Sequence, residues 1–197
     1  RYARQRGILT IADGKGGIIL TKPGNERAGT SLVQGVNILS ASGTADHSNR
    51  YSEYLVTGQN FGTDFAFGDD AAQLEAKAKD LEIRTARKLR IIAANATDTK
   101  GMQAVAEWES TVRAARSSPL KIKVQGWRQS VGGPVWKPGQ LVSVQSSFLR
   151  MDQPKDMIIN AVSLSKSDGG TFAELELMRP SAYKPKPEQP QEDNLWG

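Results

Sequence analysis

Few side chains in this chain have the types and spacing that chemistry requires. There is one histidine, His47, in a polar stretch, and no cysteine among 197 residues. Without a second imidazole or any thiolate, zinc has no ligand pair and no thiol nucleophile exists. Asp13-Gly14-Lys15-Gly16-Gly17 has the glycines of a phosphate cradle. It lies between two β-branched runs, however, and lacks the Lys-Ser/Thr ending and the helix that such a loop needs. Asp69-Asp70 would offer oxygens to a hard cation, but no acidic ladder follows. Glu107 and Glu109 stand two apart on a predicted helix, so they point to different faces and cannot pair as acid and base. The reading is of a chain with no catalytic residues, no metal ligands and no cofactor site.

Two residue sets suit binding. Arg84, Arg87, Lys88 and Arg90 form a basic run. Single-stranded nucleic acid asks for cations interleaved with exposed aromatics, and none lies inside this run. The solvated side of a strand is the better reading. The second set is built on Trp127 and Trp136, two of the four tryptophans, on either side of Val131-Gly132-Gly133-Pro134. Leu120, Ile122 and Val124 share one face of an alternating strand, and Trp127, after Gly126, has the parity of the other. Trp136 precedes Pro138-Gly139 and the strand that opens with Leu141-Val142. This pattern suits a barrel corner in which each indole covers one end, so Gly126, Trp127, Trp136, Pro138, Leu141 and Val142 read as a structural motif rather than a ligand platform.

The elements that position these residues are mostly strands. Hydrophobic residues make up 38% of the chain, with 19 glycines and 9 prolines, the profile of a turn-rich β protein. No apolar run is long enough for a transmembrane helix, and the basic start, Arg-Tyr-Ala-Arg-Gln-Arg-Gly, lacks the apolar core of a signal peptide. The net charge of +5 is interleaved with acids, so no specific nucleic-acid binding is expected. The first residues read as the end of a helix stopped by Gly7. "GILTIAD" and "GGIILTK" follow as a hairpin. "VNILSAS" and "SEYLVTGQ" are the next strands. Residues 60–83 break the β pattern, with "DAAQLEAKAKDLEI" as a short helix or arm, and "RKLRIIAA" is a further strand candidate. Thr97 or Asp98 can N-cap a helix over 99–117 with the apolar stripe Met102, Val105, Trp108, Val112 and Ala115. From Leu120 the pattern is β again, with a hairpin turn over Ser167-Asp168-Gly169-Gly170. The tail over 184–197 is Pro-rich, polar and flexible in this reading.

The stretch "VQGWRQSVGGPVWKPGQLVSV" resembles the signature of the Mu-like phage baseplate hub family, the tail protein called P. There a strand ends in Gly-Trp, a short turn follows, and Leu-Trp-x-Pro-Asn leads into a Leu-Val strand. Gly139 stands where Asn is usual, and the turn departs from Asp-Gly. "RQRGILTIADGKGGIILTK", "RYSEY" at Arg50–Tyr54 and "GGTFAELELMRPSAY" resemble further parts of the family in the same order. The likeness covers residues 1–183 and corresponds to the C-terminal half of the family.

The resemblance implies a mainly β (α+β) fold, a small antiparallel β-barrel of the tail-hub or tube type with an inserted helix-containing subdomain. Residues 1–28 would be the remnant of an upstream α/β domain, 29–59 and 118–183 the barrel, and 60–117 the insertion. It also implies a homotrimer in a contractile tail's baseplate, joining the tail tube to the spike, located in the virion after assembly in the host cytoplasm. The alternative from the residues alone is a β-barrel module binding single-stranded nucleic acid through Arg84–Arg90.

Overall fold

A computed structural model describes residues 6–12, 16–58, 74–93 and 99–187. The chain forms two compact units, residues 1–47 with 114–185 and residues 48–113 with 186–197. Each has its own core. The fold is mainly β, with one helix, α1 (Thr99–Arg116), among the described residues.

The larger unit begins with a hairpin, β1 (Leu9–Ala12) and β2 (Ile18–Thr21). Its main sheet has six strands: β3 (Leu32–Val33), β4 (Ile38–Gly43), β8 (Leu120–Gln125), β9 (Leu141–Ser146), β10 (Met151–Ser167) and β11 (Gly170–Met178). Their order in the sheet is β3-β9-β10-β11-β8-β4. All neighbours are antiparallel except β3 and β9. The two edge strands, β3 and β4, are therefore consecutive in the chain, and only residues 34–37 separate them. A flat sheet of this many strands would put its edges about 24 Å apart, at ~4.8 Å per spacing. The chain from Val33 to Ile38 reaches at most about 17 Å. The sheet has to curl, and an isolated bridge links Gln34, just after β3, to Ile38 at the start of β4.

The alternation read in "LKIKVQ" and "AELELM" fills this curl. Ile122, Val142, Val144, Ile159, Ala173, Leu175 and Leu177 turn inward and are buried, while Lys121, Glu174 and Gln145 stay exposed. Asp168-Gly169 makes the two-residue turn of the β10–β11 hairpin, as its sequence predicts. β10 changes partners along its length. It pairs with β9 up to Ile158 and with β11 from Ile158 onward. Pro154, which cannot donate to a ladder, lies in the stretch where the pairing with β9 slips between Met151 and Lys155. A second irregularity falls at Asn160. Its amide donates to Glu176 at 2.8 Å, and its carbonyl oxygen accepts the Tyr183 hydroxyl at 2.6 Å. Tyr183 closes the 3-10 turn Pro180–Tyr183, whose Ala182 carbonyl takes a bond from Arg116.

The smaller unit is built on a three-stranded sheet ordered β6 (Leu74–Lys79), β5 (Glu53–Gly58), β7 (Lys88–Ala93). Two expectations change here. Residues 53–58 pair with β6 and β7 and not with the larger sheet. "LEAKAK", expected as a helix or arm, is a strand: Ala76 and Ala78 are buried and Glu75, Lys77 and Lys79 exposed, a period of two. Residues 69–73 of that stretch lie outside the described residues. Met102, Val105 and Ala106 of α1 pack with Tyr54, Val56, Ala76, Ala78 and Ala93. The predicted stripe is correct except that Trp108 is only half-buried. The helix ends one residue early, where the Ser117 hydroxyl donates to the Ala114 carbonyl. The proposed caps, Thr97 and Asp98, lie outside the described residues.

Arg50 anchors this unit. Its side chain is 3% exposed and meets Asp80 through Nε at 2.9 Å and Nη2 at 2.7 Å. Nη2 also donates to the Glu82 carboxylate at 2.7 Å. Asp80 in turn accepts the Glu82 amide, so one carboxylate ties β6 to its following turn. Removing one partner of a buried pair strands the other charge, which costs roughly 3–5 kcal/mol. Arg50→Ala and Asp80→Ala are each expected to lower the stability of the smaller unit by about that much. Denaturant melts followed by Trp108 emission check this.

Burial, and secondarily the Glu176 carboxylate, push the Tyr183 hydroxyl up to about 12, against the opposing influence of Arg116. The folded state thus holds this proton more tightly than the unfolded chain. Its contribution to stability is complete below the ordinary tyrosine range near pH 10 and is lost as pH rises toward about 12. Melts across this window should fall in wild type, and Tyr183→Phe should flatten the fall.

Candidate functional site

The two tryptophans sit in the connection from β8 to β9. These strands are not neighbours, because β10 and β11 lie between them in the sheet. The connection must therefore cross about 14 Å at one end of the curl, three spacings of ~4.8 Å. It does so as a short two-armed loop. Gly126 turns with φ 79° and its amide donates to the Thr171 carbonyl at 2.8 Å. The Trp136 amide donates to the Trp127 carbonyl at 3.1 Å, and Arg128 bridges Val135. The tip closes with the Gly133 amide on the Ser130 carbonyl.

The two indoles play different parts. Trp136 is 4% exposed and belongs to the main core, beneath the crossing. Its N–H meets no acceptor among the described residues. Trp127 is 38% exposed and lies on the outer side, where its N–H donates to the Ser165 carbonyl at 2.9 Å. Of the two indoles expected to cover a barrel end, only Trp136 is buried. The parity of Trp127, opposite to Ile122 and Val124, is the reason. Gly139 follows with φ 85°, and an added Cβ would stand 3.3 Å from Thr21 and 3.4 Å from Ile11. Its amide donates to the Ile159 carbonyl at 2.7 Å, which aims the chain into β9 at Leu141-Val142.

Two residues of this corner carry no sequence signal. Gln129 and Gln140 are both buried and joined by a 2.8 Å hydrogen bond. The Gln129 carbonyl oxygen also accepts the Gly29 amide at 2.7 Å. Gly29 lies where the edge segment leaves β9: Ala28 bonds the Leu141 carbonyl, and pairing resumes only at Leu32. The corner thus satisfies a donor that the ladder leaves open.

The basic run does not form a free cationic track. The Arg87 guanidinium donates to the Ser48 carbonyl at 2.7 Å and lies over the Tyr51 ring. Arg90 donates to the Thr57 hydroxyl at 3.3 Å, and Lys88 faces Glu53 at 3.6 Å. Arg84 lies in the turn before β7 and is exposed. His47 is exposed, between the ends of the two units in the chain. Asp69-Asp70 and Asp13-Gly14-Lys15 lie outside the described residues. Among the described residues, no cluster of three potential metal ligands occurs.

Residues 98–186 match the model of the Mu phage baseplate assembly protein GpP, fourth domain. The chain is similar to the Mu-like phage baseplate hub proteins. It is 28% identical over 173 residues to the baseplate hub protein gp44 of Escherichia phage Mu, covering 85% of this chain and 45% of that protein. The chain thus spans about half the length of this curated hub protein. The 43 kDa tail protein of prophage MuSo2 from Shewanella oneidensis superimposes with a TM-score of 0.69 at 28% identity, covering 91% of this chain and 52% of that one. A tail protein from Neisseria meningitidis MC58 shares the fold, with a TM-score of 0.70 at 19% identity, over 94% of this chain and 55% of that one. The corner, from Gly126 to Val142, lies wholly inside the matched hub domain.

Trp136→Ala is expected to cost about 3–5 kcal/mol, the range for deleting a buried Trp. Trp127→Ala forfeits one exposed hydrogen bond and should cost about 1 kcal/mol. Paired denaturant melts measure both. Equal midpoints for the two variants would contradict the division of labour described here.

Proposed function

We propose that the chain is part of the central hub of a contractile phage or prophage tail baseplate, the piece that joins tail tube to spike. It corresponds to the C-terminal half of such a hub and works as a homotrimer in the virion. The observation that carries this reading is the match to the fourth domain of the Mu baseplate protein GpP, together with 28% identity to gp44 over an alignment that covers 85% of the chain. The geometry agrees with a structural role. The curled sheet acts as a small barrel of the hub type, closed through residues 34–37, and the Trp136 corner caps one end. Function then lies in broad surfaces and not in a cleft, and no enzymatic activity is assigned to the chain.

The nucleic-acid reading loses its footing because Arg87, Lys88 and Arg90 each meet protein groups. What remains is a weak, salt-sensitive attraction.

Antibodies raised to this chain should label the baseplate end of purified tails in electron micrographs. Light scattering on the full gene product should give a trimer mass. Label on the head or sheath, or a stable monomer at high concentration, would overturn the proposal.

A further inference from the structure

The hairpin of β10 and β11 turns through Asp168 and Gly169, both exposed. In an Asp-Gly pair no side chain shields the amide that follows the carboxyl, because glycine has no Cβ. The structure separates this pair from the other described aspartates. Asp80 and Asp156 are held by Arg50 and Arg27. Asp46, Asp80, Asp152 and Asp156 are followed by His, Leu, Gln and Met, whose side chains crowd the next amide. Among the described residues only Asp168 precedes a glycine, its carboxylate has no partner, and the Gly169 amide has no acceptor. No asparagine of the chain precedes a glycine.

We propose that Asp168-Gly169 is a self-modifying site, where the chain converts to an isoaspartyl linkage as it ages. The Gly169 nitrogen attacks the side-chain carboxyl carbon of Asp168. A C–N bond forms, and one carboxyl oxygen leaves as water together with the amide hydrogen and the carboxyl proton, which closes a succinimide ring. Water then adds at the former main-chain carbonyl of Asp168 and breaks that carbon's bond to nitrogen. The backbone now runs through the Asp168 side chain and is longer by a methylene, and the old main-chain carbonyl has become the free carboxylate. One water leaves and one enters, so mass and charge are unchanged.

The position gives the change a structural effect. The ladder ends in the pair Ser167 and Gly170, a spacing set for a two-residue turn. The tryptophan corner is tied just beside it: the Gly126 amide donates to the Thr171 carbonyl, and the Trp127 N–H to the Ser165 carbonyl. A lengthened turn misfits this ladder and loosens both ties.

The full gene product is kept for weeks at neutral pH and body temperature, and its peptides are mapped after labelling with isoaspartyl methyltransferase. Label is expected at Asp168, rising with time, and not at Asp46, Asp80, Asp152 or Asp156. Gly169→Ala should lose the label at an unchanged melting midpoint. Its added Cβ crowds the amide, yet the nearest other atom, the Ser167 Oγ, is 3.8 Å away. A synthetic peptide of residues 163–174 controls for the chemistry. If the peptide converts and the folded protein does not, the proposal is overturned. Equal labelling of the other aspartates, or of Gly169→Ala, overturns it as well. In the converted fraction the Gly126 amide should exchange faster with solvent, and unchanged exchange would overturn the loosening of the corner.

Discussion

The larger unit depends on one short piece of chain, residues 34–37. They join the strands at the two outer edges of a six-stranded sheet, and their length forbids that sheet to lie flat. The turn is secured by its own side chains. Asn37 accepts the Val33 amide and donates to the Ser31 carbonyl. Gln34 accepts from the Ser146 hydroxyl at 2.6 Å and from the Phe148 amide at 3.1 Å. It thereby ties the β9–β10 loop to this turn. Curling turns one face of the sheet inward, and the apolar halves of β8, β9, β10 and β11 become a common core. The crossing from β8 to β9 follows from the same geometry, and so does the need for a large aromatic beneath it.

The smaller unit solves a different problem. Its sheet has three strands, and much of its core is alanine. Small side chains bury little area, so burial alone contributes modestly. The Arg50–Asp80–Glu82 cluster and the bonds of Ser52 to both the amide and the carbonyl of Arg87 fix the strands laterally. Tyr51 receives two guanidinium groups, from Arg87 and Arg113, against its ring. The run Arg50-Tyr51-Ser52-Glu53-Tyr54 thus supplies much of the unit's polar framework within one short segment. Its resemblance to the hub family has a physical basis in that role.

Local pattern made much of this architecture legible. Strict alternation marked β8 and β11, Asp168-Gly169 marked the β10–β11 hairpin, and a helical stripe marked α1. The failures lie where local preference and tertiary context disagree. β6 is composed of Leu, Glu, Ala and Lys, all good helix formers, yet pairing with β5 decides its state. The partner of β5 was hidden for a related reason, since a half-buried strand shows which face is apolar but not which sheet it joins. The Gln129–Gln140 bond was invisible because amide side chains are common at surfaces, and only the path of the folded chain buries these two. Trp127 and Trp136 looked equivalent in sequence, and the parity argument that separates them had already assigned Trp127 to the far face.

β4 and β8 are antiparallel neighbours whose ladder ends at Gly43 and Leu120. Just beyond, the Thr44 amide meets the Pro119 carbonyl and the Asp46 amide meets the Ser117 carbonyl. These strands are the arms of a hairpin, and residues 48–113 of the smaller unit are inserted in the sequence between them. Closure entropy makes such an arrangement affordable. Replacing a four-residue loop by one of this length costs only about 2–3 kcal/mol more if the insert is treated as flexible chain, because the penalty grows with the logarithm of length. A folded insert whose two ends already lie together costs less. The curled sheet therefore asks of the insert only that its ends return to the same point. Lineages could exchange, enlarge or shed the insert at this mouth while leaving the surrounding sheet intact.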